Sequence, residues 1–419
     1  MNDPAHRKNE RGSALIAALI SSSLLFITSA SYLLMVSSEY RLNHRSYKSA
    51  VAINLAEGGV DYAVQALESG VLSNWSGTNT KTKTLYSLQT AGGNNMGDVS
   101  IEVTDHDGDN PIVKSTGHVP GIAASGSMSR TVKVRLAPRM TRPFDDGVMF
   151  GDASIWDVGS GYTDSYDSRI GLYGGDNVGS NGHVATNGNA AGAVDLRGSV
   201  KINGNVITGP QGTVWGAEHV TGTISNDMAK ELPEVEVPPD LAALGYWEEF
   251  GLLTITGDTS YTLEPGNYKF KQIKMTAGTA LTIKGPSRIY ITGYLGTTLY
   301  QVGTTNLICD GQVTFYMDDD IKLAGSGSTN INGIPSECLI LGAQGCEDID
   351  ITGSRAMWAA VYAPNAKIDV GGSNNIYGAF VGRKIDLHGT TDYHYDEALA
   401  EAGIPVPSSY EVAYWQEKE

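Results

Sequence analysis

From Ser13 to Ser38 the chain carries no charged residue. An α-helix rises about 1.5 Å per residue, so roughly 20 apolar residues cross the hydrocarbon core of a bilayer. This stretch is long enough, and it lies close to the N-terminus. A removable secretory signal has an apolar core of about 7–15 residues and a small-x-small cleavage site. Ser29-Ala30-Ser31 offers such a site, yet the apolar run continues from Tyr32 to Val36. A buried helix of a globular domain is disfavoured by the missing charges and the terminal position. Positive residues flank both ends of the run, so charge alone does not orient it. The Ser and Thr residues inside it can hydrogen-bond in a helix bundle, and small side chains let helices approach closely. The stretch therefore reads as a transmembrane helix suited to self-association.

The run Glu10-Arg11-Gly12-Ser13-Ala14-Leu15-Ile16, the apolar segment, and the later Leu55-Ala56-Glu57-Gly58-Gly59-Val60-Asp61-Tyr62-Ala63 resemble the N-terminus of PilX-type minor pilins, components of type IV pili and pseudopili. The resemblance covers about the first 65 residues. It implies a leader over 1–12, cleavage between Gly12 and Ser13, and a helix over 13–70 that sits in lipid before assembly. After assembly the helix would pack against other pilin or pseudopilin subunits. It also implies a single-pass protein of the cell inner membrane whose assembled form is periplasmic or surface-exposed. Most pilins carry Glu at the fifth position after the cleaved Gly, where this chain has Ala17.

Residues 39–70 extend the helix beyond the apolar run. Val51, Leu55, Tyr62 and Ala66, with Ala52, Ala56, Ala63 and Leu67, recur at helical spacing and mark one buried face. Gly58-Gly59 interrupts good helix formers and predicts a kink or a close contact. Residues 71–96 are rich in Gly, Ser, Thr and Asn and read as loop. Alternating strands are expected over Asp98–Thr104, Pro111–Gly117 and Thr131–Leu136, giving a small antiparallel pilin-like domain over 71–140. Asp105-His106-Asp107-Gly108-Asp109-Asn110 has the look of a calcium loop, but an EF-hand needs Gly at its sixth position and Glu at its twelfth. Here Asn110 and Thr116 stand there, and a hairpin turn is the better reading.

From about 141 the chain is made of short alternating strands between Gly, Asn and Asp. Val194, Leu196, Val200, Ile202 and Val206 keep period-2 spacing. Later strand starts fall near Val313, Ile321, Ile331, Leu339, Ile349, Ala360, Ile368, Ile376 and Ile385, about nine residues apart. The 51 glycines supply the tight corners such a chain needs. The expected fold is mainly β: a right-handed parallel β-helix or solenoid over 141–419, with a β-sandwich as the alternative. The acidic, Pro-bearing insertion at 226–250 reads as a short helix followed by an extended link that divides or caps the solenoid. The segments Ala359–Ala366, Ile376–Gly382 and His394–Leu399 resemble an uncharacterised β-solenoid domain found behind PilX-like N-termini, and bactofilin-type polymer formers in texture. That resemblance implies architecture, not chemistry.

The formal net charge of −17 disfavours nucleic acid, whose phosphates need Lys and Arg. Three cysteines, Cys309, Cys338 and Cys346, exclude a disulfide-stapled fold; Cys338 and Cys346 can pair, or all three stay free. His388, His394, Asp396 and Glu397 lie close in sequence but lack a second cluster to complete a metal shell. Asp396–Ala402 reads instead as a short helix capping the last rung. Asp318-Asp319-Asp320, with Lys322 or Arg288 nearby, is the acidic focus a polysaccharide-cleaving β-helix would need; an acidic turn is the simpler reading. No nucleophile elbow, phosphate loop or His-Glu-x-x-His occurs. Tyr162, Tyr166 and Tyr173 offer a candidate adhesive surface for surface glycans, although ordinary solenoid exterior is the simpler reading. The sequence thus points to a structural protein and not an enzyme, with no catalytic, cofactor or metal residues. A membrane-anchored envelope enzyme acting on polysaccharide is the alternative.

Overall fold

The structure, a computed structural model, describes residues 6–89, 92–93, 95–106, 110–121, 127–248, 250–331 and 333–418, with side chains left aside at 6–13, 73 and 405–408. The chain is mainly β behind one long N-terminal helix, and it divides into two compact units. The first comprises residues 1–139 and 408–419, the second 140–407.

In the first unit a single helix, α1, runs unbroken over His6–Glu68. Ser22, Ser23 and Thr28 donate their hydroxyls back to carbonyls of their own helix, so these groups need no neighbour to satisfy them. The helix ends where Gly70 adopts the left-handed conformation at φ 66°, with its N–H bonded to the Leu67 carbonyl. Ala52, Leu55, Ala56, Val60, Ala63 and Ala66 are buried and pack with Val99, Ile101, Val113, Val132 and Val134. The helix runs through Gly58-Gly59 without a break. A Cβ at Gly59 would lie 2.2 Å from Ser115 Oγ, so close approach of helix and sheet is what this glycine serves.

The sheet runs in the order Thr80–Gln89, Asn95–Thr104, Ile112–Val119, Met128–Thr141, Ile404–Lys418. The three expected strands are present and antiparallel. Thr80–Gln89, read as loop, is a fourth: it alternates Thr and Lys over 80–84, then packs Leu85 and Leu88 on the core across an irregularity in its edge pairing to Asn95–Thr104. Residues 107–109 of the calcium-like turn lie outside the described residues. Residues 408–419, assigned from sequence to the solenoid, cluster with the first unit, where the Tyr410 N–H donates to Glu68.

In the second unit nearly every strand pairs in parallel with the strand three places further along, so the chain coils with three strands per turn. This pairing overturns the sandwich. One inward ladder reads Leu253, Ile273, Leu299, Ile321, Ile349, Ile368, Ile385, Ile155, Val194, Val214. A second reads Tyr268, Ile289, Phe315, Ile340, Val361, Phe380, Met149, Val184, Val206, Ile224. Rungs of a parallel sheet stack about 4.8 Å apart, so each apolar side chain sits on its like in the next turn. The nine-residue step mixes different faces of this coil. Ile331 belongs to no strand and is 48% exposed, because Asn330 turns the chain at φ 54°.

The ladders reveal a chain reversal. The turn at Ser373–Leu387 stacks on Met149–Asp157, and Thr390–Asp396 stacks on Ser160–Tyr166. The first turns in sequence therefore extend the stack beyond the last ones. Glu397–Glu401 does form a 3-10 helix with Asp396 as its N-cap, but it caps no end of the coil. Residues 226–250 connect the outer turn at Ile224–Ser225 with the opposite end at Leu252–Ile255. The order expected there is inverted: extended chain comes first, then one helical turn at Pro239–Ala242, because Pro233 bars an earlier helix while Pro239 suits the first helical position. The segment is a strap. Leu241 and Val235 are buried in the coil's core cluster, the Tyr362 hydroxyl donates to the Pro233 carbonyl, and Lys230 is held by Asp145 and Asp146.

Candidate functional site

The helix supplies the first candidate feature. The large apolar side chains from Leu15 to Val36 show 42–75% of their surface. The helix from Ala14 is long and apolar enough to cross a membrane. Gly12 and Ser13 lie on its backbone; their side chains fall outside the described residues.

The acidic focus at Asp318–Asp320 is a corner between coil faces. Asp318 accepts from the Tyr290 hydroxyl at 3.1 Å, Asp319 from the Asp320 N–H, and Asp320 from the N–H groups of Glu347 and Asp348. Neither expected cation joins them. Lys322 pairs with Asp350 at 3.4 Å, and Arg288 pairs with Asp240 of the strap. Carboxylates that accept backbone N–H groups at a corner fix the turn.

The structure also separates the His388–Glu397 group. His388 faces Asp369 at 3.5 Å and the edge of Trp156. Asp396 accepts from Ser168 and Ala398 N–H groups, and Glu397 from Ser165 and Asn181. No group of three or more potential metal ligands occurs among the described residues. All three cysteines are free and buried, and contact with the Cys338 thiol together with burial raises the Cys309 pKa.

His394 belongs to a different constellation. On the outward side of one coil face the register aligns Trp358, Tyr377, His394 and Asp164 in successive turns. Trp358 and Tyr377 stack at 4.4 Å and 5°, and Tyr377 and His394 at 4.6 Å and 28°. The loop after Ser160–Tyr166 brings Tyr173 against the histidine at 4.0 Å. His394 Nδ1–H donates to Asp164 Oδ1 at 2.6 Å, and the Tyr173 hydroxyl donates to Asp164 Oδ2 at 2.7 Å. Tyr162 meets the histidine edge-on, and Tyr166 meets Tyr173 and Tyr377. The three tyrosines singled out from sequence are thus brought together, with His394 at their centre.

Burial pushes the Tyr166, Tyr173 and Tyr377 phenols up, so they stay neutral donors and not nucleophiles. What the cluster offers is a rigid aromatic shelf. Trp358 and Tyr377 remain half-buried, and the adjoining loop presents Ile170 at 77% and Leu172 at 67% exposure. Stacked aromatics with fixed polar edges suit the apolar face of a sugar ring or a protein surface. Sequence reading missed Trp358 and Tyr377. The signal was present: an aromatic recurs at 358, 377 and 394, one coil turn apart, which becomes visible only when the turn length is known.

Residues 242–402 match a family described as a domain of unknown function (DUF7305). The match lies inside the coil and covers less than half of the chain. No curated protein matches. Among solved structures, the competence-associated pilin ComZ from Thermus thermophilus is similar at 12% identity and a TM-score of 0.25, over 88% of this chain and 97% of that one. Likeness at that level carries no argument about this chain's fold or role.

Proposed function

We propose that the protein is a PilX-like minor pilin or pseudopilin, a structural component of a type IV pilus or related secretion filament. Its coil is a solenoid head exposed for adhesion or assembly, and it performs no catalysis. The observation that carries this reading is the exposed apolar half of α1. Between Leu15 and Val36 the large apolar side chains stay exposed among the described residues, whereas from Ala52 to Leu67 the helix is packed on its sheet. An apolar surface of that length needs lipid or sister helices to cover it. The resemblance around Gly12 and Ser13 selects sister helices as the final cover and lipid as the first. The aromatic shelf on the head is the surface we assign to adhesion, with glycans or a protein as its partner class.

N-terminal sequencing of the mature protein tests the reading. A start at Ser13 is expected, from a protein held in the inner membrane before assembly. A start near Tyr32 means ordinary secretion, and an unprocessed Met1 means a plain anchor; either result removes the filament role.

A further inference from the structure

The first unit carries a groove of about 990 Å³ between α1 and its sheet, just past the apolar half of the helix. Arg45, Ser49 and Ile53 line it from the helix, Arg130 from the strand Met128–Thr141, and Glu417 and Lys418 from the C-terminal strand. Arg130 Nε donates to Ser49 Oγ at 2.9 Å, which holds that guanidinium at the groove wall. Arg45 is exposed and has no ion-pair partner among the described residues. Among the described residues, Arg45, Arg130 and Lys418 share the groove with one carboxylate, Glu417, in a chain whose overall charge is −17.

Position adds to charge. Ser38 closes the uncharged stretch, and at about 1.5 Å per residue the Arg45 backbone lies about 10 Å further along the axis. If the apolar half spans the hydrocarbon, that is the depth of the lipid headgroups. We propose that this groove binds the headgroup phosphate of an anionic phospholipid, with Arg45 and Lys418 supplying the charge and Arg130 the fixed wall. Basic side chains beside a membrane helix attract anionic lipid headgroups. The site deepens the reading of α1 as a membrane helix and rests on it. A bound lipid would hold the sheet to the helix at the bilayer surface before assembly.

The test uses the full chain in neutral detergent, titrated with dihexanoyl phosphatidylglycerol or dihexanoyl phosphatidylcholine, and read as a shift in Tm. The anionic lipid is expected to raise Tm while the zwitterionic one of equal tail length does not. The double variant Arg45→Gln with Lys418→Gln should keep its lipid-free Tm and bind the anionic lipid at least tenfold more weakly. An unchanged lipid response in that variant overturns the proposal. So does an equal shift from glycerol 3-phosphate, which would mean a simple anion site. Loss of self-association in the variant without any lipid effect would assign the groove to a second copy instead. Flotation with neutral vesicles tests the anchor separately: failure to float removes the membrane reading itself, and flotation without a headgroup effect removes only the site.

Discussion

His394 and Asp164 are 230 residues apart in sequence and share a 2.6 Å hydrogen bond in the coil. The bond joins the last turn of the chain's second pass to the first turn of its initial pass. Asp164 is 4% and His394 1% exposed, and the same carboxylate accepts from Tyr173. Removing the carboxylate leaves the buried His394 Nδ1–H without an acceptor and takes the half-buried Tyr173 hydroxyl's short one away. Asp164→Ala should therefore lower stability by about 2–4 kcal/mol. Thermal unfolding of the full chain by circular dichroism checks this; a loss under 0.5 kcal/mol would mean the cluster does not join the two passes.

The inward ladders predict a sharp contrast between two isoleucines. Ile368 is fully buried between Ile349 and Ile385, whereas Ile331 is 48% exposed outside any strand. Ile368→Ala should cost about 2–5 kcal/mol. Ile331→Ala should stay within about 0.5 kcal/mol. Urea denaturation midpoints of the two variants decide it, and similar costs would place the turn boundaries wrongly.

Arg355 is an interior cation. It is 2% exposed, its Nη2 donates to Gln301 Oε1 at 3.1 Å, and its Nε and Nη1 have no acceptor among the described residues. Burial pulls its pKa down to about 10, so it stays charged at neutral pH. An apolar side chain of similar length avoids that desolvation. Arg355→Met is expected to raise stability by about 1–3 kcal/mol, read as a higher Tm. A fall in Tm would show that the guanidinium is fully compensated.

Asp157 gives a pH signature. Burial is the main cause raising its pKa from 3.8 to about 6, against the Gly159 N–H and the charge of His388, which lower it. The folded state thus binds this proton more tightly than the unfolded chain does. Its stabilising contribution is full below pH 3.8 and is lost as pH rises through about 6. Asp157→Asn cannot ionise, so the variant should gain on the native protein between pH 4 and 7, by about 2–3 kcal/mol. Parallel pH scans of Tm test it; curves that stay parallel would place the carboxyl in contact with water.

The strap makes the last prediction. Leu241 is fully buried beneath its helical turn. Leu241→Asp should release residues 226–250 to limited proteolysis while the inner ladders keep their strand signal. Resistance equal to the native protein would mean the strap adds nothing to the outer face it covers.

Much of this architecture was legible because it follows local chemistry. An uncharged run, an amphipathic face from Ala52 to Ala66 and period-2 rows such as Val200 and Ile202 each report on their own neighbourhood. What stayed hidden depends on register between distant turns. Nothing near Ile385 says that its neighbour is Ile155. The strand Thr80–Gln89 was hidden for another reason: its core-facing Leu85 and Leu88 are three apart, because an irregularity at Ser87 breaks the period-2 spacing. The aromatic shelf combines both difficulties. Tyr162, Tyr166 and Tyr173 announced themselves by composition, while Trp358 and Tyr377 joined them only through the stacking of turns.

The strands Met128–Thr141 and Ile404–Lys418 are neighbours in one small sheet, and the coil is the single excursion of the chain between them. The sheet is therefore a socket with its two contacts side by side. Closing that sheet requires only that the excursion return beside the strand it left, whatever number of turns lies between.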